Sequence, residues 1–128
     1  MFLIKNNTIE VNKGNTVRFD FRFFRDSAVP IDISGSTIYF TVKKDLKDET
    51  IPIAQTIVTA HTNPMQGLSS ISLNTSNIPV DIYYFDILIK YADTVDSENI
   101  TIPGDRNTIF PYDGNVGTFV VKNGVTII

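Results

Sequence analysis

The sequence predicts an all-β fold, an immunoglobulin-like antiparallel β-sandwich of about 7–8 strands, and three observations carry that reading. In residues 16–24, Val17, Phe19, Phe21 and Phe23 share one parity while Arg18, Asp20 and Arg22 share the other. Successive side chains of a strand point to opposite faces, so this pattern buries four large apolar groups and leaves the charges in water. Turn residues then recur at spacings of roughly ten residues, the rhythm of a small sandwich. Finally, apolar residues nowhere repeat at i, i+3, i+4 and i+7 over more than one turn, which excludes an amphipathic helix.

Each element follows from local chemistry. Thr8 to Val11 is a short first strand, and Asn12-Lys13-Gly14-Asn15 turns the chain into the strong strand Thr16 to Phe24. Pro30 forces an extended approach at Val29 and ends any ladder there, because proline has no N–H to donate. After a turn at Ser34 to Ser36, Ile38, Phe40 and Val42 repeat the buried parity in a strand from Thr37 to Lys43. Lys44 to Thr50 is a charged loop. The β-branched run Ile53 to Ala60 is the next strand, closed by Thr62-Asn63-Pro64, and Gly67 to Leu73 follows with Ile71 and Leu73 facing inward. Asn74 to Asp81 has room for at most one helical turn before Pro79.

Asp81 or Ile82 opens the second strong strand, where Tyr83, Phe85, Ile87 and Ile89 alternate with Tyr84, Asp86, Leu88 and Lys90. Tyr83 or Tyr84 is placed for the tyrosine corner of such sandwiches, the alternative being a ring buried for its area with its hydroxyl at the rim. Asp93 to Glu98 is an acidic turn, Asn99 to Ile102 a strand, and Gly117 to Lys122 the last one, ending near Ile128.

Composition bounds the function. A chain of 128 residues fits one domain, residues 1–128, able to bury about two-thirds of its extended surface without staples. It has no cysteine, which removes disulfides, thiol nucleophiles and thiolate metal sites. A net charge of −3 without clustered Lys and Arg speaks against nucleic acid. Met1-Phe2-Leu3-Ile4 gives way to Lys5-Asn6-Asn7, too short a run for a secretory signal, and no segment approaches a membrane span, so synthesis in the cytoplasm is expected.

Three ordered segments resemble the immunoglobulin-like domain at the N-terminus of phage baseplate upper proteins, which recurs in prophage tail proteins. The first joins Gly14-Asn15-Thr16 and the Phe alternation to Pro30-Ile31-Asp32-Ile33-Ser34-Gly35-Ser36-Thr37 and Ile38-Tyr39-Phe40-Thr41-Val42-Lys43. The second is Ile78-Pro79-Val80-Asp81-Ile82-Tyr83-Tyr84-Phe85-Asp86-Ile87. The third is Gly117-Thr118-Phe119-Val120-Val121 with Gly124-Val125-Thr126. Asp32 and Gly35 have a physical reason to be there: the carboxylate accepts from the backbone two residues on, and glycine tolerates positive φ.

The chain departs from that pattern at Ala28-Val29 and at Asp81, where the family commonly has glycine. It departs again over residues 103–114, which have no place in the usual pattern. Baseplate upper proteins continue into stalk and receptor-facing regions, so we expect the chain not to be a whole protein of that kind. The resemblance implies a non-enzymatic virion structural module of a phage or prophage tail or baseplate, made in the bacterial host cytoplasm. Its partners would be other virion proteins or copies of itself. Two other roles remain open: a carbohydrate-binding module for host attachment, read through Tyr39, Tyr84 and Tyr112, and a capsid decoration or head-fibre protein.

Candidate interface residues fall in two groups. Arg106, Phe110 and Tyr112 stand in the unmatched segment and are types enriched at interface hot spots, the alternative being a hairpin folded back on the core. Tyr84 and Leu88, joined by Tyr39 and Phe24, stand on the outward parity of their strands and would form an exposed apolar cluster unless a loop covers them. No catalytic, cofactor or metal residue is assigned. His61, the only histidine, is expected to be a solvated loop residue, and Asp93, Asp96 and Glu98 lack the spacing of a calcium loop.

Overall fold

The computed structural model describes residues 2–5, 8–25, 29–45, 51–110 and 117–123. Among these residues thirteen strands follow in chain order. They begin with β1 (Phe2–Lys5), β2 (Thr8–Asn12), β3 (Thr16–Arg22), β4 (Phe24–Arg25), β5 (Val29–Pro30), β6 (Thr37–Lys43) and β7 (Ala54–Val58). They continue with β8 (Leu68–Asn74), β9 (Asp81–Lys90), β10 (Thr94–Val95), β11 (Thr101–Ile102), β12 (Arg106–Phe110) and β13 (Gly117–Lys122). Eight of these are five residues or longer; the others are short ladders at the margins.

One sheet runs β1-β2-β13-β9-β6-β7, with β12 also on β9; facing it is the two-stranded ladder β3–β8. The pairs β3–β8 and β6–β9–β13 reproduce the two central strand sets of an immunoglobulin sandwich, with β7 added beyond β6 and β2 carried onto the larger sheet. The β2–β13 pair is parallel, and every other pair between described strands is antiparallel.

Alternation places the core where the sequence predicts it. Val17 and Phe19 of β3 and Ile71 and Leu73 of β8 meet Ile38, Phe40 and Val42 of β6, Tyr83, Phe85, Ile87 and Ile89 of β9, and Phe119 and Val121 of β13, all buried. Phe40 is the hub: its ring stacks on Phe19 at 5.3 Å and on Phe85 at 5.4 Å, and meets Phe119 edge-on at 6.1 Å. Phe21 and Phe23 are only partly buried. They stack on each other at 6.1 Å where β3 runs out, packed against the core from its margin.

The connections are held by short-range polar chemistry. The Asp32 carboxylate accepts from Ser34 N at 2.9 Å and from Ser34 Oγ at 2.5 Å, donors that hold it below the usual carboxylate range, and Gly35 takes φ 72°. Residues 75–80 contain no helical turn; Thr75 is buried there and its hydroxyl donates to Asn15 O at 2.7 Å. The tyrosine corner is Tyr83, whose hydroxyl donates to Pro79 O at 2.6 Å at the entry to β9, the sixth of the eight longer strands. Burial of that ring, and after it the Asp81 charge, push the phenol above its ordinary pKa.

Several elements depart from the sequence expectation. Phe2–Lys5 is a strand that closes a hairpin with β2, and Pro64–Gln66 forms a single 3-10 turn. The strand expected from Thr16 to Phe24 breaks at Phe23, and Pro30 does not end the ladder there but pairs with Phe24 in β4–β5, an edge position where its missing N–H costs no central bond. Thr94–Val95 and Arg106–Phe110 are further strands that the sequence reading did not place.

Candidate functional site

Within the segment 103–114, Arg106–Phe110 forms half of a divided strand. Along β9, Arg106 stands opposite Lys90 and Phe110 opposite Ile87, while Gly117 stands opposite Phe85 and Val121 opposite Asp81. Because β6 occupies the other edge of β9 over the same residues, β12 and β13 lie end to end on one edge and run in one direction. They are the two pieces of the closing strand, separated by residues 111–116. A one-residue bulge before Phe110 marks the approach to the break.

A tight base holds β12 in place. Tyr91 N donates to Asp105 O at 2.8 Å, and Gly104 N donates to the Asp93 carboxylate at 2.8 Å. An added Cβ at Gly104 would sit 1.9 Å from Tyr91 O, so only glycine fits this crossing. Asp93 also faces Lys90 at 3.5 Å; the Gly104 N–H first, and then the Lys90 charge, hold its pKa below the ordinary carboxylate value. The hairpin β10–β11 stands between these anchors and projects Val95, Ile100 and Ile102 into solvent. Its tip is closed by the Asp96 carboxylate, which accepts from Glu98 N and Ile100 N, with Asn99 at φ 62°. The acidic turn is thus a capped hairpin loop.

Cross-strand partners point to the same face, which brings the two groups of sequence candidates together. Tyr39 stands opposite Leu88, Thr41 opposite Asp86 and Lys43 opposite Tyr84 on the outer face of the larger sheet, and Arg106 joins them from β12. Tyr39, Tyr84 and Leu88 are half-buried and Arg106 is exposed. Tyr39, Leu88 and Arg106 line an open concavity of about 450 Å³, walled on the β7 side by Pro52 and Gln55. Gln55 Nε2 donates to Thr41 Oγ1 at 3.0 Å, which fixes that wall.

Asp86 occupies the floor of this concavity. Partial burial raises its pKa, and the neighbouring Lys43 ammonium pulls it back down. Asp86 is also the β9 residue at which the paired edge passes from β12 to β13. One carboxylate, two cationic side chains, an amide, an aromatic ring and a leucine compose a surface suited to recognition by shape and hydrogen bonding.

Of the six candidates, then, Tyr39, Tyr84, Leu88 and Arg106 share one face. Phe110 is placed by its backbone opposite Ile87, and Tyr112 lies outside the described residues. Phe24 is exposed but belongs to the separate β4–β5 ladder, under the Arg22 guanidinium at 5.8 Å. Asp86, Gln55 and Lys43 are the members sequence reasoning missed. The visible signal for Asp86 was an acid in the middle of an otherwise aromatic and aliphatic outward row.

His61 is not a solvated loop residue. Its Nε2 donates to Ser36 O at 2.8 Å, since a carbonyl can only accept, and Nδ1 shares a hydrogen bond with the Ser69 hydroxyl at 2.8 Å. Ser36 and Ser69 are both buried, so the ring satisfies two polar groups between the start of β6 and β8. Among the described residues no three His, Asp or Glu side chains form a metal-binding group, and no helix is long and apolar enough to cross a membrane. No protein-family model matches the chain, and no curated protein matches its sequence.

Proposed function

We propose that this chain is a non-enzymatic structural module of a phage or prophage virion, a tail or baseplate component that works by protein–protein assembly. The observation that carries this reading is the convergence of Tyr39, Tyr84, Leu88 and Arg106, from three strands far apart in sequence, on one outer face of a rigid sandwich. The three segments that resemble the baseplate domain also coincide with structural units, β3 to β6, the tyrosine corner leading into β9, and for residues 117–121 of the third, β13; Gly124-Val125-Thr126 lie outside the described residues. Specificity would lie in the shape and polarity of that face, because sandwiches of this class host many unrelated functions and function resides in the grafted site.

Separating tail-bearing particles from heads on a density gradient and probing each fraction for the chain tests the reading. We expect the chain in the tail fraction. Its presence in heads alone would support the capsid-decoration role instead, and its absence from all particles would overturn the virion reading.

Host-surface glycan attachment is the second reading, supported by the Tyr39 ring beside the polar groups of Gln55, Asp86 and Arg106 in the concavity. Glycan-array binding by the folded chain, lost in Tyr39→Ala, would favour it.

A further inference from the structure

The charges of this chain are distributed unevenly in a way that marks one side of the sandwich. Eleven basic and fourteen acidic residues are spread over 128 positions, yet residues 51–80 contain none of them. That run builds β7, the connection with the 3-10 turn, and β8, so the strands of this flank contribute no charged side chain of their own, although Arg18, Asp20 and Arg22 of β3 stand opposite Ser72, Ser70 and Leu68 of β8. The flank is not hidden: Ile51, Ile53, Ile57 and Met65 are exposed on it, Met65 by 69% and Ile57 by 54%. Depletion of charge around exposed aliphatic groups is the compositional signature of an interface core.

The open edge of the larger sheet lies on the same flank. β7 is last in the strand order and pairs with β6 through five successive positions without a register shift. Among the described residues, no backbone hydrogen bond outside that ladder involves residues 54–58. Soluble proteins usually blunt such an edge with lysine, proline or a bulge. The opposite edge strand, β1, carries Lys5, and β3 of the second sheet carries Arg18, Asp20 and Arg22. In β7, Ala-Gln-Thr-Ile-Val has none of these devices.

We propose that β7 is a self-pairing edge: two copies of the chain join β7 to β7 in antiparallel fashion about a two-fold axis at Thr56, making one continuous sheet from their two larger sheets. A second copy fits because an uncharged strand meets itself without like-charge repulsion, whereas a chain of net charge −3 repels itself elsewhere. The two-fold sets Thr56 against Thr56 of the second copy, a favourable cross-strand pair. It also sets Gln55 against Ile57 and Ala54 against Val58, so each outward Ile57 gains a neighbour from the second copy. The interface is isologous and closed, giving a dimer and not a filament.

This inference names a partner within the assembly reading and rests on it only in that the chain acts by association. The two fail separately: a monomer found in particles removes the dimer alone, and a dimer absent from particles removes the virion role alone.

The chain has no cysteine, so a single substitution reports the geometry. Residues directly opposite across an antiparallel pair lie about 4.5–5.5 Å apart at Cα, within disulfide reach. Sedimentation equilibrium from micromolar to millimolar protein should show a monomer–dimer equilibrium, and Thr56→Cys should oxidise to a covalent dimer far faster than Asp20→Cys. Ile57→Lys, at a solvent-facing position that leaves the circular dichroism unchanged, should weaken dimerisation about tenfold or more. A chain monomeric throughout that range overturns the proposal. So does a dimer insensitive to Ile57→Lys, equal oxidation of the two cysteine variants, or a β7 edge that takes up only a strand of another protein.

Discussion

At the residue scale, single polar contacts hold positions that packing leaves open. The bond from the Tyr83 hydroxyl to Pro79 O ties the strand entry to the preceding turn, and Tyr83→Phe keeps the ring but orphans that carbonyl; we expect a loss of about 1–2 kcal/mol in urea unfolding. His61→Ala leaves the Ser69 hydroxyl buried without its partner, and the same measurement should show about 1–3 kcal/mol lost. Asp86 works in the other direction. Its folded pKa is raised, so the folded state holds the proton more tightly than the unfolded chain, and the charged carboxylate costs stability once pH rises above that folded value. Asp86→Asn should therefore raise the thermal midpoint at pH 7. The gain should shrink as pH falls through the raised pKa and vanish below about pH 4, where the acid is protonated in both states. A gain independent of pH would show that burial of the charge is not its source.

At the scale of elements, the sequence and the structure agree where alternation alone decides the strand. β3 and β6 have a clean two-residue period and were readable to within two residues of their ends, while β9, whose outer row is mixed, and β13 were readable as strands from their buried parity. β1 was not, because Phe-Leu-Ile-Lys has no period and becomes a strand only through its ladder with β2. β12 was unreadable for a related reason: Arg-Asn-Thr-Ile-Phe has no alternation of apolar and polar residues, and its pairing comes from the free length of β9 beyond β13. The candidate face followed the same rule. Parity identified Tyr84, Leu88 and Tyr39, while the half-burial of Asp86 depends on a wall from β7 that no local pattern announces.

The join between β9 and β12 supplies the prediction for this scale. Gly104→Ala places a methyl group against the Tyr91 carbonyl, and the backbone must move to admit it. We expect at least about 1–3 kcal/mol of destabilisation. Amide hydrogen exchange should rise first in residues 91–110, with β3 and β8 unaffected; uniform loss of protection across both sheets would contradict the local role given to this crossing.

For the whole molecule, one aromatic cluster couples the two layers, since Phe40 touches Phe19 across the sandwich and Phe85 within its own sheet. Phe40→Ala should cost about 3–5 kcal/mol, a large part of the stability of a domain this size. Acid acts on the molecule as a whole through Asp32, Asp81 and Asp93, each held below its ordinary pKa by the Ser34, Lys44 and Gly104 donors respectively. Their contribution is complete above the unfolded pKa near 4 and is lost as pH falls through the lowered values.

The sandwich in turn presents two surfaces of different character: an outer face of mixed polarity around Asp86, and a flank at β7 and β8 whose own residues carry no charge. The central claim is that the outer face joins the chain to a larger particle, and incorporation tests it most directly. The double variant Leu88→Lys, Arg106→Glu alters one half-buried and one exposed position of that face, and its circular dichroism should show it folded. Supplied in place of the wild-type chain, it should be missing from purified tail-bearing particles. Incorporation of the folded variant at the wild-type level would contradict the account.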